Sequence, residues 1–135
     1  MKPSTKEEAK LWLEQAESDF SALKVLFDAR KYDLVCFLSQ QSAEKALKAY
    51  LLFQGEEKIT THSILRLCEL AEKFDPEFRE LKKEIKKLTP YYIEARYPNA
   101  LQTAPSKFFD ENDASEAISL AEKALNKIKQ KLKAD

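Results

Sequence analysis

Residues 34–54 read LVCFLSQQSAEKALKAYLLFQ, and the fold class follows from this run. Leu34, Val35, Leu38, Ser42, Ala46, Ala49 and Phe53 recur at three- and four-residue steps, the spacing that gathers side chains on one side of an α-helix. Ser39, Ala43, Leu47, Tyr50 and Leu51 widen that side. Its small members let neighbouring helices come close, and its large ones fill the ends. An apolar arc this wide predicts a central helix with partners on more than one flank. The opposite face carries Gln41, Glu44, Lys45 and Lys48, again at helical steps. Glu44 and Lys48 form a favourably oriented pair, worth about 0.2–0.5 kcal/mol to the helix. A charge run of this kind is expected to be solvated. Its alternative use is to hold a nucleotide phosphate or an acidic partner with two lysines one turn apart.

Outward from this run the same periodicity repeats. Upstream, Thr5 and Glu8 stand at capping-box spacing and predict a helix running to Arg30–Lys31, with Ala9, Trp12, Ala16, Leu23 and Leu26 as its stripe. Asp19 falls inside that stripe, where a carboxylate needs a partner; it either bonds a neighbouring helix or edges a site. Downstream, Gly55 stands where a left-handed C-terminal cap is wanted. Thr60 or Thr61 is the expected N-cap of a short helix ending near Phe74. Asp75–Pro76 restarts the chain, and Phe78, Leu81, Ile85, Leu88 and Tyr92 give the next inward face until Pro90 interrupts it. Pro98 and Pro105 forbid a continuous helix through the aromatic segment that follows. A last helix is expected from Asp110, with Ala114, Ala117, Ile118, Ala121, Leu125, Ile128 and Leu132 inward. The expectation is one all-α domain over residues 1–135, an up-and-down bundle of about five helices.

Composition limits the chemistry. Lys plus Arg and Asp plus Glu both number 23, so no excess positive charge drives a generic grip on nucleic acid. The chain has one Gly, which excludes a glycine-rich phosphate loop, and one His with two distant Cys, which excludes a metal-ligand spacing. Cys36 and Cys68 are expected to be buried, unreactive thiols of a reducing compartment. The charged opening MKPSTKEEAK predicts no signal peptide, and no run approaches the ~20 apolar residues of a membrane span. A cytoplasmic protein without cofactor, metal or membrane contact is therefore expected.

Three groups could carry function. His62 stands at the start of the third helix, as a phosphate or ribose contact or simply as a hydrogen-bonded cap. The Gln41–Glu44–Lys45–Lys48 face is the second group. Tyr91, Tyr92, Arg96 and Tyr97 are the third; arginine among aromatics beside a helix break is the composition of an interface or a base-stacking site.

In order and spacing, QQSAEKALKAYL from Gln40, THSILRL from Thr61 and YYIEARYP from Tyr91 resemble the HEPN domain family, as does the Ala16–Asp19–Leu23 pattern of the opening helix. The resemblance covers about Glu8 to Lys131. It implies a helical bundle like the C-terminal domain of kanamycin nucleotidyltransferase, often homodimeric, that binds nucleotides or stands beside a minimal nucleotidyltransferase in a toxin–antitoxin-like pair. The positions matching the family are Gln41, Glu44, Lys45, Lys48, His62, Arg96 and Tyr97. In the binding expectation Lys45 and Lys48 meet phosphates, Arg96 forks onto a phosphate or carboxylate, and Tyr97 or Tyr92 stacks on a base. Several family branches are metal-independent ribonucleases with an Arg followed four to six residues later by a His. None of Arg30, Arg66, Arg79 and Arg96 has a His at that spacing. The expectation is thus a nucleotide- or partner-binding module rather than an enzyme. A ribonuclease on RNA using His62 and Arg96 is the alternative.

Overall fold

The computed structural model describes residues 4–133. Among them there is no strand, and nine α-helices: α1 (Thr5–Ser21), α2 (Leu23–Asp28), α3 (Tyr32–Phe53), α4 (Ile64–Glu72), α5 (Phe78–Ile85), α6 (Tyr91–Glu94), α7 (Pro98–Leu101), α8 (Pro105–Phe108) and α9 (Glu111–Lys133). Five of these have eight or more residues, as the periodicity predicts. The bundle is built around α3, which packs chiefly between α1 and α9 and also meets α2, α4 and α6.

Small side chains set the closeness of that packing. Ser39, Ser42, Ala43, Ala46 and Ala49 of α3 are fully buried, as are Ala9 and Ala16 of α1 and Ala114, Ala121 and Ala124 of α9. Ser42 Oγ donates to the Ala16 carbonyl at 2.8 Å, which requires the two helix backbones to lie nearly side by side. Leu47, Leu51, Ile64, Leu67, Phe78, Ile85, Leu88 and Ile128 fill the space beyond. Each such burial is worth about 1.5–3 kcal/mol. Leu34 departs from its expected place on the stripe and is exposed. Its neighbours Val35 and Cys36 are both fully buried, so the inward arc of α3 begins one residue later than expected.

Helix ends explain the other departures. The sequence STKEE holds two overlapping capping frames, and the structure uses the earlier, with Ser4 Oγ accepting from the Glu7 amide at 3.1 Å. The single opening helix breaks at Ala22, just past Ser21, whose hydroxyl bonds back to the Ser18 carbonyl at 2.7 Å. The cap of α4 is Ser63, not Thr60 or Thr61; its Oγ accepts from the Arg66 amide at 3.1 Å. Asp75 Oδ1 accepts from the Glu77 amide at 3.0 Å, and a turn intervenes before α5 begins at Phe78. Pro98 and Pro105 each open a four-residue helix, where a missing N–H costs nothing. Asp110 and Asp113 cap α9 reciprocally, each carboxylate accepting the other's amide at 2.9 and 3.0 Å. Gly55 takes φ 100°, and the amides of Gly55 and Glu56 return to the carbonyls of Leu52 and Leu51 at 2.9 and 3.0 Å, closing α3 as expected. Cys36 and Cys68 are buried and unpaired. No helix of the described residues is long and apolar enough to cross a membrane.

Candidate functional site

The face of α3 expected to be solvated is largely covered. Glu44 is 3 % exposed and Lys48 6 % exposed. A carboxylate taken from water must be compensated by donors, and Glu44 has three, with a histidine nitrogen as a fourth polar partner. Gln40 Nε2 and Gln41 Nε2 donate to Oε1 at 3.0 and 3.4 Å. Lys48 Nζ donates to Oε2 at 2.9 Å, and His62 Nδ1 lies 3.0 Å from the same oxygen. Three of these partners sit three or four residues away on α3, so helical geometry alone gathers them. The fourth arrives from the segment between Gly55 and α4. Gln40, fully buried, holds that segment: its Nε2 also donates to the His62 carbonyl at 3.0 Å, while its Oε1 accepts from Gln41 at 2.8 Å. Removing one partner of a buried pair such as Lys48–Glu44 costs on the order of 3–5 kcal/mol, because the other charge is stranded.

His62 carries this buried cluster to the surface. Its side chain is 47 % exposed, and its ring lies flat on Tyr92, with centroids 4.2 Å apart and planes 7° apart. Arg96 lies on the same tyrosine, its Cζ 4.4 Å from the Tyr92 centroid, 4.8 Å from Tyr97 and 4.9 Å from Phe37. Arg96 Nε donates to the Tyr92 carbonyl at 2.7 Å, a bond that folds the side chain back along the chain it comes from. Among the described residues Arg96 has no carboxylate partner. A cation held by aromatic faces and one carbonyl keeps its terminal donors for an anion.

The two other cationic candidates are committed within the protein. Lys45 Nζ bonds Asp19 Oδ2 at 2.6 Å, with Gln15 on the other oxygen at 2.9 Å. This answers the question posed by Asp19, which joins α1 to α3. Lys48 is bound to Glu44 and lies 5.4 Å from the Trp12 ring, beside a cavity of about 70 Å³ lined by Glu8, Trp12, Lys48, Leu52, Glu57 and Ile59. Neither lysine offers the free charge that a phosphate needs. The N-terminus of α4 is also taken: Ser63 Oγ holds the Arg66 amide, and Thr89 Oγ1 holds the Leu65 amide at 3.1 Å. His62 thus presents its ring and not an open helix end.

Gln41, Glu44, Lys48, His62, Arg96 and Tyr97 thus form one connected corner, with Lys45 one pair away on Asp19. Tyr91 turns inward against Phe109, edge to face at 5.4 Å, and burial pushes its hydroxyl above the ordinary tyrosine range. Sequence reasoning missed Gln40 and Phe37. Gln40 stands four residues before Glu44, a spacing that signals a shared face; Phe37 bore no signal that an apolar count could separate from core. Among the described residues no cluster suits a metal ion.

A family model for the HEPN domain matches residues 9–131. A protein of Methanocaldococcus jannaschii named "Putative toxin MJ1304" is 30% identical over 134 residues, which span 93% of this chain and 88% of that protein. The solved structure of TT1696 from Thermus thermophilus is 38% identical with a TM-score of 0.79, covering 91% of this chain and 97% of its own. That of ST0689, described as an archaeal HEPN homologue, is 35% identical with a TM-score of 0.70, covering 91% and 96%. With a family model spanning nearly all of the sequence and solved relatives sharing its helical frame, the chain belongs to the HEPN domain family.

Proposed function

We propose that this HEPN protein is the toxin-type member of a two-component pair and binds a phosphate-bearing nucleotide at the corner formed by His62, Tyr92, Arg96 and Tyr97. The observation that carries the reading is Arg96: a guanidinium fixed by three aromatic rings, without a carboxylate partner among the described residues, on the tyrosine that also stacks a half-exposed histidine. Arg96 forks onto the phosphate. Tyr97, exposed on the rim, offers its ring to a base. Lys45 and Lys48 hold the scaffold through their carboxylates instead of touching ligand. The toxin in the name of the M. jannaschii relative supports the two-component setting, with a minimal nucleotidyltransferase as the partner and a homodimer as the binding form. Calorimetric titration with ATP and the other ribonucleotides tests the site. Saturable heat that is lost in Arg96→Ala is expected; no heat with any nucleotide would remove the nucleotide reading.

A second reading is favoured by the bond between Glu44 and His62. A buried carboxylate on one ring nitrogen and solvent at the other is the arrangement of a general base, and a base within reach of a 2′-hydroxyl cleaves RNA without metal. Incubation of RNA in chelator with wild type and His62→Ala decides it. Cleavage confined to wild type supports a ribonuclease, and RNA left intact by both rejects one.

A further inference from the structure

We infer that Lys48 is a positioning residue that fixes the ring tautomer of His62 through Glu44, so that His62 presents a bare Nε2 to a ligand hydroxyl and the site takes ribonucleotides in preference to deoxyribonucleotides. The ligand clause rests on the nucleotide reading above; the tautomer clause stands on geometry alone. Lys48 Nζ and His62 Nδ1 meet the same oxygen of Glu44, at 2.9 and 3.0 Å. The Lys48 ammonium supplies the opposite charge that a buried carboxylate requires. An ionised carboxylate only accepts hydrogen bonds, so Nδ1 must carry the ring hydrogen. In the neutral imidazole Nε2 is then the acceptor. Nε2 makes no hydrogen bond among the described residues, and the ring lies half-exposed on Tyr92. Arg96, on the same tyrosine, supplies only donors. An acceptor and a donor fork carried by one tyrosine ring match a sugar hydroxyl and a phosphate of one nucleotide chain, and the 2′-hydroxyl is the group that separates RNA from DNA.

His62 is the chain's single histidine, so its ring nitrogens can be followed alone. Nitrogen-15 spectra of the neutral imidazole are expected to place the hydrogen on Nδ1 in wild type and in Lys48→Arg. In Lys48→Gln the charge of the Glu44–His62 pair is left without its ammonium, and a proton taken up by that pair puts hydrogen on Nε2. Hydrogen on Nε2 in wild type, or on Nδ1 in every folded variant, overturns the relay. Binding of a short single-stranded RNA and the DNA of the same sequence tests the ligand clause. Wild type is expected to prefer RNA by about tenfold or more, the preference collapsing in Lys48→Gln through loss of RNA affinity. Equal affinity in wild type rejects the ribonucleotide clause. Binding of neither probe rejects the nucleotide reading and this clause together, while the spectra still judge the tautomer.

Discussion

Ser39 lies on the fully buried side of α3, and its hydroxyl meets no hydrogen-bond partner among the described residues. A buried polar group left unsatisfied costs about 1–3 kcal/mol, so Ser39→Ala is expected to raise stability by about 1 kcal/mol, read from the midpoint of urea unfolding. A loss of that size would mean that the hydroxyl is bonded after all. The two thiols make a related prediction: burial pushes both Cys36 and Cys68 up to about 12. Neither is expected to react with a thiol-specific reagent at neutral pH until the chain unfolds, and modification should follow the unfolding curve. At this scale the candidate site was only half legible. Hydropathy marks Glu44 and Lys48 as polar but says nothing of what lies over them. The segment carrying His62 and the Trp12 ring cover them, and both come from elsewhere in the chain. Arg96 and His62 stand far apart in sequence; only the fold brings both to Tyr92.

Single elements were read more faithfully than their ends. A 3.6-residue period survives in side-chain chemistry over many turns, so α3 and α9 could be placed within a few residues. An end is decided by one side chain among several competent neighbours, as with Ser4 against Thr5 and Ser63 against Thr60 and Thr61. The close of α2 had no glycine to announce it. Arg30 takes φ 61° there, and the amides of Arg30 and Lys31 return to the carbonyls of Phe27 and Leu26, both at 2.9 Å. This is the same closing motif as at Gly55, with a side chain in a region that disfavours one. Arg30→Gly is expected to raise the thermal midpoint, gaining up to about 1 kcal/mol. A fall in the midpoint would show that the arginine side chain contributes more than its backbone costs.

Across the molecule, ion pairs tie the start of α5 to the end of α9. Lys131 bonds Asp75 at 2.7 Å and also meets Glu77, which Lys127 approaches as well. The hydrogen bond from Lys131 holds both carboxyl groups below their ordinary range, and the bond to Asp75 raises Lys131. Depressed carboxylates contribute stability that is present above their ordinary value of about 4 and lost as pH falls through the folded value. A raised lysine contributes stability present below its ordinary value of about 10.4 and lost as pH climbs past the folded one. Lys131→Met is therefore expected to unfold more easily than wild type at neutral pH. The gap should close in strong acid and again in strong alkali, as chemical denaturation across pH would record; a gap independent of pH would assign the effect to packing. Trp12, the chain's one tryptophan, sits against Lys48 at the inner end of the Glu44 cluster. The protein thus has a native fluorophore touching the buried end of the relay whose other end faces solvent at His62. Emission intensity should change when the His62 ring is engaged, giving a label-free signal for screening small molecules.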